Sequence, residues 1–248
     1  VKPITVQPLI RSFAGGTRLP PRATERIHGV FAYAQDFLAA WTGKTFKLAY
    51  PKRLVSRYTV EEAATRAGAP DRQRKRGTEL MRQALAEFED RAAVKPKSLS
   101  HVYYVLQLHP PEYATNFSPA GAWRRQWWWP ELPPEAAGAC ASVGTRPWVM
   151  AGVTPEELLA RGWPMEPDMQ GRIHPPGEPR PRTVWNVTAR TAPLHEILHT
   201  LGLHHPQDDP ATPLNEGYES VTGNGYRLAY AGLLPSEIEA LLASGYLA

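Results

Sequence analysis

A chain of 248 residues is long enough to bury a substantial core, and 42% hydrophobic with 21% charged residues is ordinary for a soluble globular fold. A formal net charge of +4 is a mildly basic balance spread over many arginines, and no run approaches the roughly eighteen apolar residues of a membrane span. The single cysteine, Cys140, excludes an intrachain disulfide and reads as a small buried residue, while 26 prolines imply long, stiffened connections.

PITVQPLI near the start predicts a strand, with Pro8 pushing it toward an irregular or edge position. Ile27, Val30, Phe31, Ala34, Phe37, Leu38 and Trp41 then recur at three- and four-residue intervals, which predicts a core-facing helix closed by Gly43. TFKLAY at 45–50 reads as a strand. Thr59 and Glu62 form a capping box that opens a short helix ending at Gly68. The basic run DRQRKRG at 71–77 reads as a solvated loop, and a second helix follows around Leu80, Met81, Ala84, Leu85 and Phe88.

HVYYVLQLHP at 101–110, rich in β-branched and aromatic residues and ended by proline, is the strongest predicted strand. The chain then turns loop-rich. WRRQWWWP at 123–130 sets four tryptophans beside two arginines, more often the filling of a lobe or the cover of a loop than a binding patch. WVMAGV at 148–153 reads as a strand, and TPEELLARG as a helix capped by Thr154 with Pro155 in the first turn, Glu157 completing the box and Gly162 at the end. The proline-rich run from Trp163 to Arg182 has no periodicity and reads as a surface loop, with His174 solvated in it. TVWNVTA at 183–189 reads as a last strand, whose buried setting argues against glycosylation at the Asn186 sequon, and Thr191 and Pro193 as the cap and first turn of the next helix.

That helix carries HEILHTLGLHH at 195–205, in a chain with only eight histidines. His195 and His199, four apart, project from one helix face and can reach one ion together. His205 cannot join them on a continuous helix, because ten residues at about 1.5 Å each carry it roughly 15 Å along the axis. Gly202 supplies the break, since glycine accepts the left-handed conformation that ends helices, and His205 becomes reachable; His204 is the competing third ligand. Three neutral histidines leave a tetrahedral zinc one open position for a water, whose pKa the metal lowers to around 7. Glu196, beside the first ligand, is the candidate general base that takes the proton and hands it to the leaving amine.

His195, Glu196, His199, Gly202 and His205 match the fixed positions of H-E-x-x-H-x-x-G-x-x-H, and the chain resembles the metzincin clan of zinc metallopeptidases. The resemblance implies one catalytic Zn2+ held by the three histidines, Glu196 as base, and hydrolysis of peptide bonds in protein or peptide substrates. It implies an α+β fold of the zincin kind: an upper lobe over residues 1–202, with a twisted mixed sheet, helices and the active-site helix at the cleft floor, and a smaller lobe over 203–248. In that clan an edge strand above the cleft pairs with extended substrate, and both 101–110 and the WVMAG stretch are candidates.

The clan also places a methionine in a turn below the site, yet no methionine follows Met169. YESVTGNGYRL at 218–228 is the counterpart by its distance from the closing helix PSEIEALLASG, whose Ser236 and Glu239 read as a capping box. Thr222 then takes the methionine's place, and Tyr226 is the candidate to bind zinc or steady the oxyanion. Asp208 and Asp209 favour calcium no more than they favour solvent. The reading is thus a monomeric zinc endopeptidase, with no nucleic-acid partner and no transmembrane segment, secreted or periplasmic by resemblance and by its start at Val1. Its rivals are a zinc hydrolase of non-peptide amides and a zincin-fold binding protein without catalysis.

Overall fold

The computed structural model describes residues 3–16, 18–67, 73–96, 98, 100–108, 120–123, 150–153, 157, 160, 182–206, 219–223 and 231–248. Five strands, β1 (Thr5–Ser12), β2 (Lys47–Leu48), β3 (Lys52–Val55), β4 (His101–Leu108) and β5 (Ala120–Trp123), form one open sheet in the order β2-β1-β4-β5, with β3 also on β1. Strands β2, β3 and β4 run parallel to β1, and β5 runs antiparallel to β4. Among the described residues the helices α1 (Ala23–Thr42), α2 (Val60–Ala67), α3 (Gln73–Ala92), α4 (Arg182–Thr200) and α5 (Pro235–Ser244) join the sheet in a mixed α/β architecture.

Alternation along the strands assigns the layers. Val6 and Ile10 of β1 and Val102, Tyr104 and Leu106 of β4 share a core with Ile27, Phe31, Ala34 and Leu38 of α1 and Leu194, Ile197 and Leu198 of α4. The intervening Leu9, Tyr103 and Val105 pack on Met81, Ala84, Leu85 and Phe88 of α3. Both faces of β4 are therefore covered, which fits its almost continuous run of buried residues. Val221, Leu233, Leu241 and Leu247 join the first core, and the Ile4 N–H donates to the Tyr246 carbonyl at 2.9 Å.

Pro8 lies in an interior strand, contrary to the edge position its ring predicts. The reason is where its missing donor falls. Backbone carbonyls of Ile4 and Val6 accept from Lys47 and Ala49, and that of Ser12 from Ser56, so even-numbered residues of β1 turn toward β2 and β3. Strand β2 pairs at Thr5 and Val6 and β3 only from Leu9 onward, so Pro8 meets the gap between them. No ladder bond is forfeited.

Several other expectations need correction. TFKLAY contributes only Lys47–Leu48 to the sheet, and β3 follows it directly. Trp41 is 45% exposed rather than core, its ring lying over Gly232, where an added Cβ would fall 2.2 Å from it. The basic run is not a loop throughout, because α3 begins at Gln73. Strand β4 is flanked by β1 and β5, so its backbone is already paired on both sides and it cannot receive a substrate strand. In the WVMAGV stretch, Met150 is helical and Ala151–Gly152 form a turn, with Gly152 at φ 94°. Glu157 and Ala160 are helical as predicted, while Thr154, Pro155, Gly162, His174, Cys140 and Gly68 lie outside the described residues, as do all the tryptophans of 123–130 except Trp123.

The largest correction is at 183–189, which is helix and not strand. Residues 182–200 form a single helix, so Thr191 is an interior residue and Pro193 sits mid-helix. Proline there removes one bond to the carbonyl four residues back. At the closing helix, Pro235 takes the first position and Leu234 the cap, and the box glutamate is Glu237 rather than Glu239. The Leu234 N–H donates to Glu237 Oε2 at 2.7 Å.

A buried polar knot pins the α3 side of the sheet. Fully buried Arg11 donates to Glu87 at 2.8 Å, to Gln107 Oε1 at 2.8 Å and to Ser56 Oγ at 3.1 Å. Glu87 also accepts from Ser56 Oγ and from the Arg57 N–H, each at 3.1 Å. Burial lowers the Arg11 pKa, and the Glu87 charge opposes that shift.

Candidate metal centre

Helix α4 delivers His195 and His199 to the site on successive turns, with Nε2 atoms 3.0 Å apart. The helix then ends as the sequence requires. The Leu203 N–H donates to the Leu198 carbonyl at 3.2 Å and the Gly202 N–H to the His199 carbonyl at 3.0 Å, with Gly202 at φ 97°. These two bonds are a Schellman ending, and Leu203 and Leu198 supply its apolar contact within the core. The reversal brings His205 Nε2 to 3.0 Å from His199 Nε2. His204, the alternative ligand, is exposed and outside this trio.

One ligand atom from each of His195, His199 and His205 lies within 4.8 Å of the others, so the three could hold a metal ion. The tautomers agree. His195 Nδ1 lies 2.8 Å from the Val221 carbonyl and His199 Nδ1 2.7 Å from the Leu203 carbonyl. A carbonyl only accepts, so each Nδ1 carries the proton and each Nε2 a bare lone pair. Two such lone pairs at 3.0 Å repel unless a cation lies between them. The donor set therefore fits a first-row metal of the kind imidazole suits. Glu196 is buried with His195 and His199.

Of the 218–228 stretch, residues 219–223 are described, and Val221 among them supplies the carbonyl for His195. Thr222 is fully buried within this turn. Its hydroxyl bonds to Glu237 and lies 2.9 Å from Ser220 Oγ. Tyr226, Asp208 and Asp209 lie outside the described residues. Two supporting groups escaped the sequence reading. The Schellman bonds at Gly202 use the Leu203 N–H, and no local pattern marks the Leu203 carbonyl as the acceptor for His199 Nδ1. Glu237 is three residues after Leu234 with Pro235 between, a spacing that marks it as the box residue once proline is allowed the first helical position.

No known protein family, curated protein or solved structure matches the chain. The geometry of these histidines is thus the ground on which a function is read.

Proposed function

We propose that the chain is a zinc-dependent endopeptidase of the metzincin kind, hydrolysing peptide bonds in proteins or peptides. The observation that carries this reading is the convergence of one ring nitrogen each from His195, His199 and His205, with Glu196 next to the first of them and buried in the same helix. His195, His199 and His205 hold the ion, and Zn2+ is the metal this neutral three-imidazole set with an open position suits best. When bound, zinc supplies a Lewis acid that polarises a carbonyl and acidifies a water.

The chain's own residues do the rest. The Glu196 carboxylate accepts the proton of the attacking water and returns it to the nitrogen of the departing amine. Its burial keeps that carboxylate from bulk water, where a nearby charge is felt most weakly. Val221 and Leu203 hold the His195 and His199 rings through their carbonyls.

The deciding experiment measures metal content together with casein or gelatin cleavage, wild type against Glu196→Ala. One zinc per chain in both, with cleavage in the wild type alone, is the expected result. Zinc in both without cleavage in either would favour a binding protein, cleavage of small amides but not peptides would favour the other hydrolase, and absence of zinc would remove the metal centre itself.

A further inference from the structure

Glu237 lies at the start of α5 and is a buried carboxylate that the proposed chemistry does not use. Its oxygens accept from three groups. Ser220 Oγ donates at 2.7 Å to Oε1 and 2.8 Å to Oε2, Thr222 Oγ1 donates to Oε1, and the Leu234 N–H donates to Oε2 at 2.7 Å. Ser220 Oγ in turn accepts from the Thr222 N–H at 3.0 Å. The turn is also anchored across a backbone bridge, with the Val221 N–H donating to the Gly232 carbonyl and the Gly232 N–H to the Glu219 carbonyl, each at 2.9 Å.

Ser220 and Thr222 flank Val221, and the Val221 carbonyl fixes His195 through Nδ1 at 2.8 Å. We propose that Glu237 is a positioning residue for the metal centre: by gripping the hydroxyls on either side of Val221 it sets the carbonyl that orients His195. The inference rests on the reading of the three histidines as a metal site. A carbonyl held only by a surface turn could rotate away, and the His195 ring would then lose the partner that fixes its tautomer. A charged acceptor shared by two hydroxyls and a backbone N–H makes stronger bonds than neutral acceptors, so the turn has one arrangement.

The test is competitive Zn2+ titration against a chelator, and the visible spectrum with Co2+, on the full chain and on Glu237→Gln and Thr222→Val. Glu237→Gln keeps shape but weakens the charged grip, and Thr222→Val removes one gripped hydroxyl at constant volume. Zinc affinity is expected to fall on the order of tenfold in each, at the lower end of the 10–100-fold seen for partners outside the ligand shell. The cobalt spectrum is expected to change with it. A structural role alone would lower the melting temperature of the metal-free chain and leave zinc affinity within twofold, and that outcome overturns the proposal. If the unaltered chain takes up no zinc, the metal reading fails first and the positioning role with it. Zinc uptake by the wild type with unchanged affinity in both variants sinks the positioning role alone.

Discussion

Replacing Gly202 by alanine tests the turn that completes the candidate metal site. An added Cβ would meet nothing within 4 Å, so no steric clash enters and the cost is purely that of the backbone at φ 97°. For an L-residue in the left-handed region this amounts to about 1–2 kcal/mol. The cost divides between two observables. If the metal-free turn stays formed, the whole penalty appears as lost stability, a drop of roughly 2–8 °C in melting temperature for a chain of this size. If the metal-free turn relaxes, stability is spared, but zinc must re-form the turn to recruit His205. Affinity then falls by roughly 5- to 30-fold. Thermal unfolding without metal, combined with chelator-competed zinc titration, measures both parts, and their free energies should sum to about 1–2 kcal/mol. A variant unchanged in both would refute the role of Gly202 at this turn. A combined loss several times larger would mean that the turn does more than reverse the chain.

The Arg11 knot predicts the largest stability loss outside the site. Glu87→Ala strands a fully buried guanidinium and is expected to cost about 3–5 kcal/mol, read by urea unfolding; a loss below about 1 kcal/mol would show that solvent reaches Arg11. His101 makes a pH prediction. Burial, then the Lys52 and Lys95 charges, hold its pKa below the usual 6.5, so the unfolded chain takes up its proton first. Stability from this group is present above pH 6.5 and is lost as pH falls toward the lower folded value. His101→Gln should flatten that part of the melting-temperature profile, and an unchanged slope below 6.5 would assign it to other groups.

The features legible in sequence are those fixed by short-range geometry. The offsets of His195, His199, Gly202 and His205 dictate a helix, a reversal and a convergent trio without reference to the rest of the chain. The Thr59–Glu62 box is equally local, with the Thr59 N–H to Glu62 Oε2 at 2.8 Å and the Glu62 N–H to Thr59 Oγ1 at 3.3 Å. Gly43 likewise stops α1 at φ 70°. The misreadings have the opposite character. TVWNVTA is rich in β-branched residues, but helix propensities differ by only tenths of a kcal/mol per residue, and continuity with α4 outweighs them. Pro8 is excluded from interior strands only when its donor side faces a partner, a fact about β2 and β3 that lies some forty residues away. The Arg11–Glu87 pair spans 76 positions, and no local pattern announces it. Glu237 was hidden by Ser236, which looks like a cap until Pro235 is given its place in the first turn.

Helix α4 has a further consequence through its direction. It runs 19 residues with His199 in its last turn, so an ion held by the three histidines would sit near the carbonyl end of its macrodipole, equivalent to roughly −0.5 elementary charge. The Schellman bonds to the Leu198 and His199 carbonyls neutralise part of that charge, and the remainder would favour a cation there. Three neutral imidazoles bring no charge of their own, and the helix end supplies a negative potential that no change of pH removes.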